Sequence, residues 1–292
     1  MRNNEINSKN EDARKHDLLD SLPQSSIPWK RSREEVWSKL ADSIGEKHEA
    51  RKVSLSSNIY RLSAAAIIII LLASAAFMRL YTRTINSKTG ELANLNLPDG
   101  SAVTLNAETE LKYRPMWWRF SREISLEGEA YFEVEKGSTF TVVSDPGKTS
   151  VLGTTFNIYS RDGEYEVTCH TGKVRVESTL TGNEKILESN QRASLDEKGK
   201  LKISEELPGT ISMDWRNGYF RFTSASVQRV FDEISRQYNI IIEGADELNL
   251  LYTGNFRKDQ PAGEVLNLVC KAFGIDFVKE GENTFRVIID EE

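Results

Sequence analysis

Cys169 and His170 are neighbours that combine a thiol with a general base, the two groups of a cysteine nucleophile. They lie in GEYEVTCHTGK, whose alternation of apolar and polar residues predicts a β-strand. Neighbouring side chains of a strand point to opposite faces, so Cys169 joins Val167 on the apolar face and His170 joins Glu166 on the solvated face. The pair is therefore predicted not to react together, and Cys169 is interpreted as a buried structural thiol.

Glu127, Glu129 and Glu133 offer the paired carboxylates that glycoside hydrolases use. A chain with 44 acidic residues contains many such pairs, so their presence carries little weight. The three also share the parity of one strand, which favours a solvated face. An enzyme such as a carbohydrate-active jelly roll is the least favoured hypothesis, and we predict that the chain is not an enzyme.

Cysteine and histidine residues are few and scattered. The two cysteines, Cys169 and Cys270, form no Cys-x-x-Cys spacing. The histidines are His16, His48 and His170, and none lies at a metal-ligand spacing from another. We therefore predict no disulfide framework, no metal site and no cofactor.

The length of the chain and its charge distribution limit the number of domains and the kinds of partner. The 292 residues allow about two domains. The formal charge of −6 divides into about +1 over residues 1–58, about +4 over 59–88 and about −11 over 89–292. Such an acidic bulk disfavours binding of a nucleic-acid backbone by the larger part of the chain.

The most apolar segment runs from Leu62 to Met78 without a charged residue, between Arg61 and Arg79. At about 1.5 Å per residue it makes roughly 26 Å of helix, at the short end of a membrane-spanning length. We predict a transmembrane helix over residues 59–80. Its apolar side chains include Leu62, Ile67, Ile70, Leu72 and Phe77.

Two other interpretations of this segment are disfavoured. A buried helix of a soluble domain would have a polar face, which four consecutive isoleucines leave no room for. A cleaved signal peptide fits Ala73-Ser74-Ala75, but about sixty polar residues come first. Basic residues are only slightly more numerous on the N-terminal side, which weakly favours an N-terminus in the cytoplasm.

The N-terminal arm, residues 1–58, contains one amphipathic segment. Residues 1–28 are polar and are interpreted as a disordered or transiently helical tail. Ser32 and Glu35 fit a capping box and Gly45 fits a helix stop, so a helix of about thirteen residues is predicted. A helix this short is marginal in water and needs a partner. We predict that it docks into a groove of another protein, with Trp37 as the anchor, through Trp29, Val36, Trp37, Leu40 and Ile44.

The alternative partner for this helix is the layer of lipid headgroups. Its three acidic residues, Glu34, Glu35 and Asp42, make it a poor match for anionic lipid. The protein groove is therefore the favoured interpretation.

From residue 91 to 203 the pattern changes to short alternating runs with a turn every eight to twelve residues, which predicts an all-β domain, either a sandwich or a barrel or solenoid-like fold. Asp99-Gly100 predicts a tight hairpin between two of these runs. Four segments then resemble, in order and spacing, the periplasmic FecR domain: LPDGSAVTLNAETELKY, REISLEGEAYFEVEKG, VLGTTFNIY and GKVRVES. The chain departs from the family after the last block, where LESNQRASL replaces a Leu-x-Pro-Gly-Glu-like turn, so the end of the domain is less well defined.

The C-terminal region shows strand and helix signals in the order β-α-β-β-α-β, with one further strand, which predicts a small α+β domain with helices packed on one sheet. WRNGYFRF, VQRVFDEISRQYNI and YTGNF resemble the domain that follows FecR domains in Bacteroidetes-type proteins. That domain is similar in layout to the short N-terminal domain of secretins and TonB-dependent receptors. Cys270 lies on an apolar helix face and is interpreted as core.

The complete domain prediction follows from these segments. It comprises a cytoplasmic arm over 1–58, a transmembrane helix over 59–80, linkers over 81–90 and 204–214, the FecR domain over 91–203 and the α+β domain over 215–292.

The resemblance to FecR proteins implies a function. It implies an inner-membrane anti-sigma factor whose cytoplasmic arm binds an extracytoplasmic-function sigma factor. It also implies that the periplasmic part contacts the signalling domain of an outer-membrane TonB-dependent receptor, with an intramembrane protease as a further partner. The main alternative is a periplasmic envelope scaffold or assembly protein, anchored by one helix, that binds no sigma factor.

Under this resemblance, the Gly153-Thr154 bond is a candidate site of self-cleavage. Some relatives are cut in the periplasm at a Gly-Thr bond, by attack of the threonine hydroxyl on the preceding carbonyl. Such chemistry needs a strained peptide and a desolvated hydroxyl. The alternative is a structural glycine at a bulge before a strand.

Overall fold

The computed structural model describes residues 30–45, 57–205, 214–245 and 248–288. Within these ranges the chain is mostly β, with four α-helices, as the sequence predicts. The chain divides into two compact units, residues 1–64 and residues 65–292, and each is described by itself.

Helix α1 (Arg33–Gly45) has the length that the sequence predicts. The Ser32 side chain caps its N-terminus, accepting a hydrogen bond from the Glu35 amide at 3.2 Å. Acidic residues occupy the first turn, where they interact favourably with the helix dipole. All described side chains of α1 are exposed.

Helix α2 (Ser57–Leu80) contains the apolar segment. From Tyr60 to Leu80 it is long and apolar enough to cross a membrane, and none of this stretch is buried against protein. The predicted apolar side chains are all exposed: Leu62, Ile67, Ile70, Leu72 and Phe77. A helix that is apolar all round and uncovered by protein fits a hydrocarbon surrounding.

Thirteen strands follow α2. The first seven are β1 (Arg83–Asn86), β2 (Ala93–Asn96), β3 (Ala102–Leu105), β4 (Glu110–Tyr113), β5 (Arg122–Glu133), β6 (Phe140–Val143) and β7 (Gly147–Val151). The others are β8 (Thr155–Arg161), β9 (Glu164–Thr171), β10 (Lys173–Ser178), β11 (Glu184–Glu188), β12 (Gln191–Leu195) and β13 (Leu201–Glu205). The β2–β3 hairpin turns at Asp99-Gly100, as predicted.

These strands form two sheets that share β5. One sheet has the order β11–β10–β7–β6–β5–β4–β1, and the other has the order β13–β12–β9–β8–β5–β3–β2. The inner faces of both sheets contribute to one hydrophobic core, including Leu111, Ile124, Val142, Phe132, Phe156 and Ile158. The strand β1 lies inside residues 81–90, the segment that the sequence predicts to be a linker.

Strand β5 joins the two sheets because its halves pair differently. Residues 122–127 pair with β4 and β6, whereas residues 128–133 pair with β3 and β8. Gly128 stands at the change, with φ of +120°. A Cβ at this position would lie 2.7 Å from the Cα of Thr109, so only glycine allows the close approach.

Over residues 214–245 and 248–288 the C-terminal region contains five strands and two helices. They are β14 (Tyr219–Ser226), α3 (Val227–Tyr238), β15 (Ile241–Glu243), β16 (Leu251–Arg257), α4 (Ala262–Lys271), β17 (Asp276–Lys279) and β18 (Thr284–Ile288), after a short 3₁₀ turn at Asp214–Asn217. The strands divide between two sheets, β14–β16 and β15–β18–β17, where the sequence predicts one. The physical reason is that α3 packs against strands of both sheets, so its apolar face is shared between them.

Gly128→Ala is expected to reduce the free energy of unfolding by about 3 kcal/mol, because backbone strain and a steric clash act together. Gly163→Ala is the matched control, since Gly163 also has positive φ but open space around its Cβ. Its expected loss is about 1 kcal/mol. Chemical denaturation of the full-length protein in detergent measures both values, and equal losses would contradict the steric argument.

Candidate functional site

The exposed apolar face of α1 is the first candidate surface. Val36, Trp37, Leu40 and Ile44 are all exposed, and the Trp37 side chain is 61 % exposed. Their spacing places them along one side of the helix. Trp29, the fifth residue predicted for this surface, lies outside the described residues. Partner binding by this face stays a prediction.

Cys169 is fully buried in the core of the two sheets, as predicted. Burial, with a smaller effect from Glu188, raises the pKa of its thiol to about 11, so the thiolate nucleophile is disfavoured. Cys270 is also buried, and burial raises the pKa of its thiol to about 11. Both cysteines are free thiols.

His170 is not solvated, which corrects the prediction made from strand parity. Its side chain is only 9 % exposed, and its ring lies 5.3 Å from the ring of Tyr131. The Arg216 guanidinium of the C-terminal region stacks on the ring of Tyr131, 3.6 Å from the ring centroid. The outer face of this sheet is therefore covered by the C-terminal region, which strand parity alone does not reveal.

Glu129 requires the same correction. The parity of β5 predicts a solvated face for Glu127, Glu129 and Glu133; Glu127 and Glu133 are exposed, but Glu129 is 8 % exposed. Its carboxylate accepts hydrogen bonds from Asn106 Nδ2 at 2.8 Å and from Asn157 Nδ2 at 2.9 Å. The buried carboxylate is thus held by two amides of the same sheet.

Helix α3 brings a second buried carboxylate, Glu233, to this point. Asn106 Nδ2 also donates to Glu233 at 3.3 Å. Gln237 Nε2 donates both to Glu233 at 2.9 Å and to the side-chain Oδ1 of Asn106 at 2.8 Å. Arg236 neutralises Glu233 through hydrogen bonds of 3.1 and 3.2 Å to one carboxylate oxygen. We call Asn106, Glu129, Glu233, Arg236 and Gln237 the buried polar cluster.

The pKa values of the two carboxylates of the cluster are shifted in opposite directions. Burial first, and then the neighbouring Glu233, raise the pKa of Glu129. Burial alone would raise the pKa of Glu233 as well, but Arg236 and Arg161, with the hydrogen bonds from Gln237 and Arg236, lower it. Opposite shifts are expected when two close carboxylates share an environment that can hold one negative charge.

Arg229 makes a second polar contact between α3 and the sheet. Its guanidinium donates to Glu166 at 2.6 Å and to Glu164 at 3.0 Å, and it lies 4.0 Å from the ring centroid of Tyr159. Burial alone would raise the pKa of Glu166, but Arg229, and then Arg192, lower it. The contact therefore combines a bidentate ion pair with a cation–π interaction.

Gly90 links the segment after β1 to the same helix. Its amide donates to the carbonyl of Arg236 at 2.7 Å, and its carbonyl accepts a hydrogen bond from Lys258 Nζ. A Cβ at Gly90 would approach the Gln237 carbonyl to 3.2 Å. The segment that follows β1 is thus tied directly to the C-terminal region.

Gly153 and Thr154 both have structural roles. Gly153 has φ of +151°, and a Cβ there would lie 2.8 Å from the Cα of Lys136. Thr154 is buried, and its hydroxyl donates to the carbonyl of Lys173 at 3.1 Å. Self-cleavage of this bond stays a hypothesis, which gels of the wild type and Thr154→Ala decide: one full-length species in both would exclude it.

Comparison with known proteins agrees with this architecture. The FecR protein family matches residues 83–175, and the family described as FecR, C-terminal, matches residues 219–287. The two matches together cover more than half of the chain, and the chain belongs to the FecR family. The family is a regulatory one and not a family of enzymes. The apolar helix near the N-terminus fits single-pass membrane anchoring.

Two crystal structures of a protein from Parabacteroides distasonis ATCC 8503, provisionally assigned as an anti-sigma factor, have a similar fold, at 1.65 and 2.50 Å resolution. Each superposes with a TM-score of 0.65 at 25 % sequence identity and covers 72 % of this chain and 100 % of the other. Among curated proteins, none matches the sequence well enough to count as a relative.

The pH dependence of stability reports on the covered face. Burial, followed by Arg216 and Arg192, lowers the pKa of His170 from 6.5 to about 4. Only the unfolded chain then binds a proton between these values, so stability is complete above pH 6.5 and is lost as the pH falls toward 4. Between pH 7 and pH 5 we expect the wild type to lose about 2 kcal/mol more than His170→Phe.

Urea denaturation of the full-length protein in detergent measures this difference in slope. A double variant, His16→Gln with His48→Gln, is the control for removing a histidine elsewhere in the chain. An unchanged slope in His170→Phe would mean that His170 is solvated in the folded protein.

Proposed function

We propose that this chain is a single-pass inner-membrane anti-sigma factor that relays a periplasmic signal to an extracytoplasmic-function sigma factor. One observation carries the proposal: an exposed apolar helix face, on α1, precedes an apolar helix of membrane-spanning length, and FecR-family domains follow it. The provisional assignment of the similar Parabacteroides protein as an anti-sigma factor supports it.

The face of α1 would bind the sigma factor. A short helix cannot bury its own four apolar side chains. Covering them in the groove of a partner would therefore contribute favourable free energy to binding. Trp37 is the largest and would be the anchor, since tryptophan dominates the binding energy of many interfaces. The acidic first turn, with Glu34 and Glu35, matches a basic rim on such a groove.

The periplasmic part would receive the signal from the signalling domain of a TonB-dependent outer-membrane receptor. The sheet β14–β16 has only two strands, so each strand leaves one edge without a partner strand within the described residues. An incoming strand can pair with such an edge through backbone hydrogen bonds. Regulated proteolysis near the membrane, with an intramembrane protease as a partner, would then release the sigma factor.

The topology is part of the proposal, with residues before α2 in the cytoplasm and residues after it in the periplasm. Protease added to spheroplasts is expected to digest the chain after Arg79 and to leave the N-terminal arm protected. The reverse pattern would overturn the topology and the anti-sigma function together.

The alternative function is a periplasmic envelope scaffold that uses the same open sheet edges and binds no sigma factor. The face of α1 separates the two, because a scaffold has no use for it. A scaffold would retain its envelope partners when α1 is altered.

Trp37→Ala is expected to weaken binding of the full-length protein to its sigma factor at least thirtyfold, or about 2 kcal/mol, because the anchor of the interface is lost. The sigma factor is first identified by mass spectrometry of the co-purified complex and is then purified for titration. Asp42→Ala changes the opposite side of α1 and is the control, with an affinity close to that of the wild type. If no sigma factor binds, the anti-sigma function is wrong. If both variants bind as the wild type does, the sigma factor does not bind through the Trp37 face of α1.

A further inference from the structure

A double turn connects β4 to β5 over residues 114–121, RPMWWRFS. The Trp117 amide donates to the Arg114 carbonyl at 3.1 Å, and the amides of Phe120 and Ser121 both donate to the Trp117 carbonyl, at 2.9 and 3.1 Å. The turn is therefore held by its own backbone hydrogen bonds. We call residues 114–121 the aromatic turn.

Neighbouring tryptophans of the aromatic turn point in opposite directions. Trp118 is buried in the core, where its ring lies edge-on to Tyr113 and Phe140 at 5.6 and 5.8 Å. Trp117 points outward and packs against Phe120, with ring centroids 4.6 Å apart. The inward ring fixes the position of the outward pair.

The outward side of the turn exposes large apolar side chains. Phe120 is 70 % exposed, and Met116 is also exposed. Trp117 is half-buried beside them. A turn that presents Met116, Phe120 and part of the Trp117 ring to water loses free energy that a covering surface would recover.

The aromatic turn lies at the end of the apolar helix. The Arg79 guanidinium, which closes the apolar stretch of α2, is 5.6 Å from the centroid of the Trp117 ring. Only Tyr81 and Thr82 separate α2 from β1, so the first sheet begins directly at the helix end. When α2 spans a bilayer, the turn is therefore at headgroup depth.

The charges around the turn are mainly positive. Arg114 and Arg119 are exposed within it, and Arg79 and Arg83 flank it at the helix end. The nearby acid is Glu123, 3.8 Å from Arg114. Tryptophan, other aromatic residues and arginine together are the composition found where proteins meet phospholipid headgroups.

We propose that the aromatic turn is a second membrane contact, in which Met116, Trp117 and Phe120 enter the headgroup layer of the bilayer that α2 crosses and the arginines bind anionic phospholipid. The contact rests on membrane insertion of α2 but not on which compartment holds the turn. It fixes the orientation of the FecR region on the membrane, because a helix and a separate turn define a plane.

A fluorescent label at two positions tests the contact. Phe120→Cys places the label in the turn, and Leu180→Cys is the matched control, with an equally exposed apolar side chain (72 %). The aromatic turn lies where β6 begins, because Arg122 pairs with Phe140 in parallel. Leu180 follows Ser178, which pairs with Gly147 where β6 has ended, so it lies at the opposite end of the sheet. Cys169 and Cys270 are buried and are not expected to be labelled.

The full-length protein is reconstituted in nanodiscs of anionic phospholipid brominated near the headgroup end of its acyl chains. We expect quenching of the label at position 120 and no quenching at position 180. A third variant, Leu72→Cys, lies near the middle of the apolar stretch and reports insertion of α2 by quenching in a second set of nanodiscs, whose phospholipid is brominated near the methyl end of its acyl chains. Circular dichroism confirms that each variant is folded.

Two results would overturn the proposal in distinguishable ways. Quenching at position 72 without quenching at position 120 would show that α2 is inserted and the turn stays in water. If a partner protein then shields the label at position 120, that protein covers the aromatic turn in place of the bilayer. Absence of quenching at position 72 would show that α2 does not span the bilayer, which would remove the topology proposed above as well.

Discussion

The structure after α2 depends on a polar contact that is buried between α3 and the outer face of the β8–β5 sheet. Burying two carboxylates is costly unless their charge is neutralised and their lone pairs are satisfied. Asn106 meets this requirement by bonding to Glu129 and Glu233 together, while Arg236 neutralises Glu233. Such contacts have strict geometry, so α3 is held in one position on the sheet.

The other contacts around this cluster also hold the C-terminal region against the sheet. Arg229 binds Glu166 and Glu164 at one side, and Arg216 stacks on Tyr131 at another. Gly90 then connects the helix to the segment that follows β1. Contacts of the C-terminal region thus reach the segment that follows β1, and only two residues separate β1 from α2. Under the proposed function, this continuity would supply a physical route from a periplasmic partner to the membrane, which a chain of loosely linked domains would lack.

Sequence periodicity predicted the local elements correctly, but it wrongly predicted that the outer face of the β8–β5 sheet is exposed to solvent. The capped helix at Ser32, the hairpin at Asp99-Gly100 and the buried thiol of Cys169 all depend on neighbours close in the chain, and all three are as predicted. Glu129 and His170 were assigned to solvent because strand parity distinguishes two faces but does not say whether a later domain covers the outer one. The outward-pointing rings of Tyr131 and Tyr159 beside these residues were the available signal of such a cover.

The sequence by itself determined the membrane-spanning length of α2 and the amphipathic face of α1, because both depend on composition and spacing over short ranges. It also identified the FecR family, through segments that resemble that family. Tertiary structure alone decided that β5 serves two sheets, that five C-terminal strands divide between two sheets, and that Asn106 meets Glu233 across 127 positions of chain. The physical reason is that hydrogen bonding and charge neutralisation in a buried site depend on groups that folding brings together, and no local pattern encodes which groups those are.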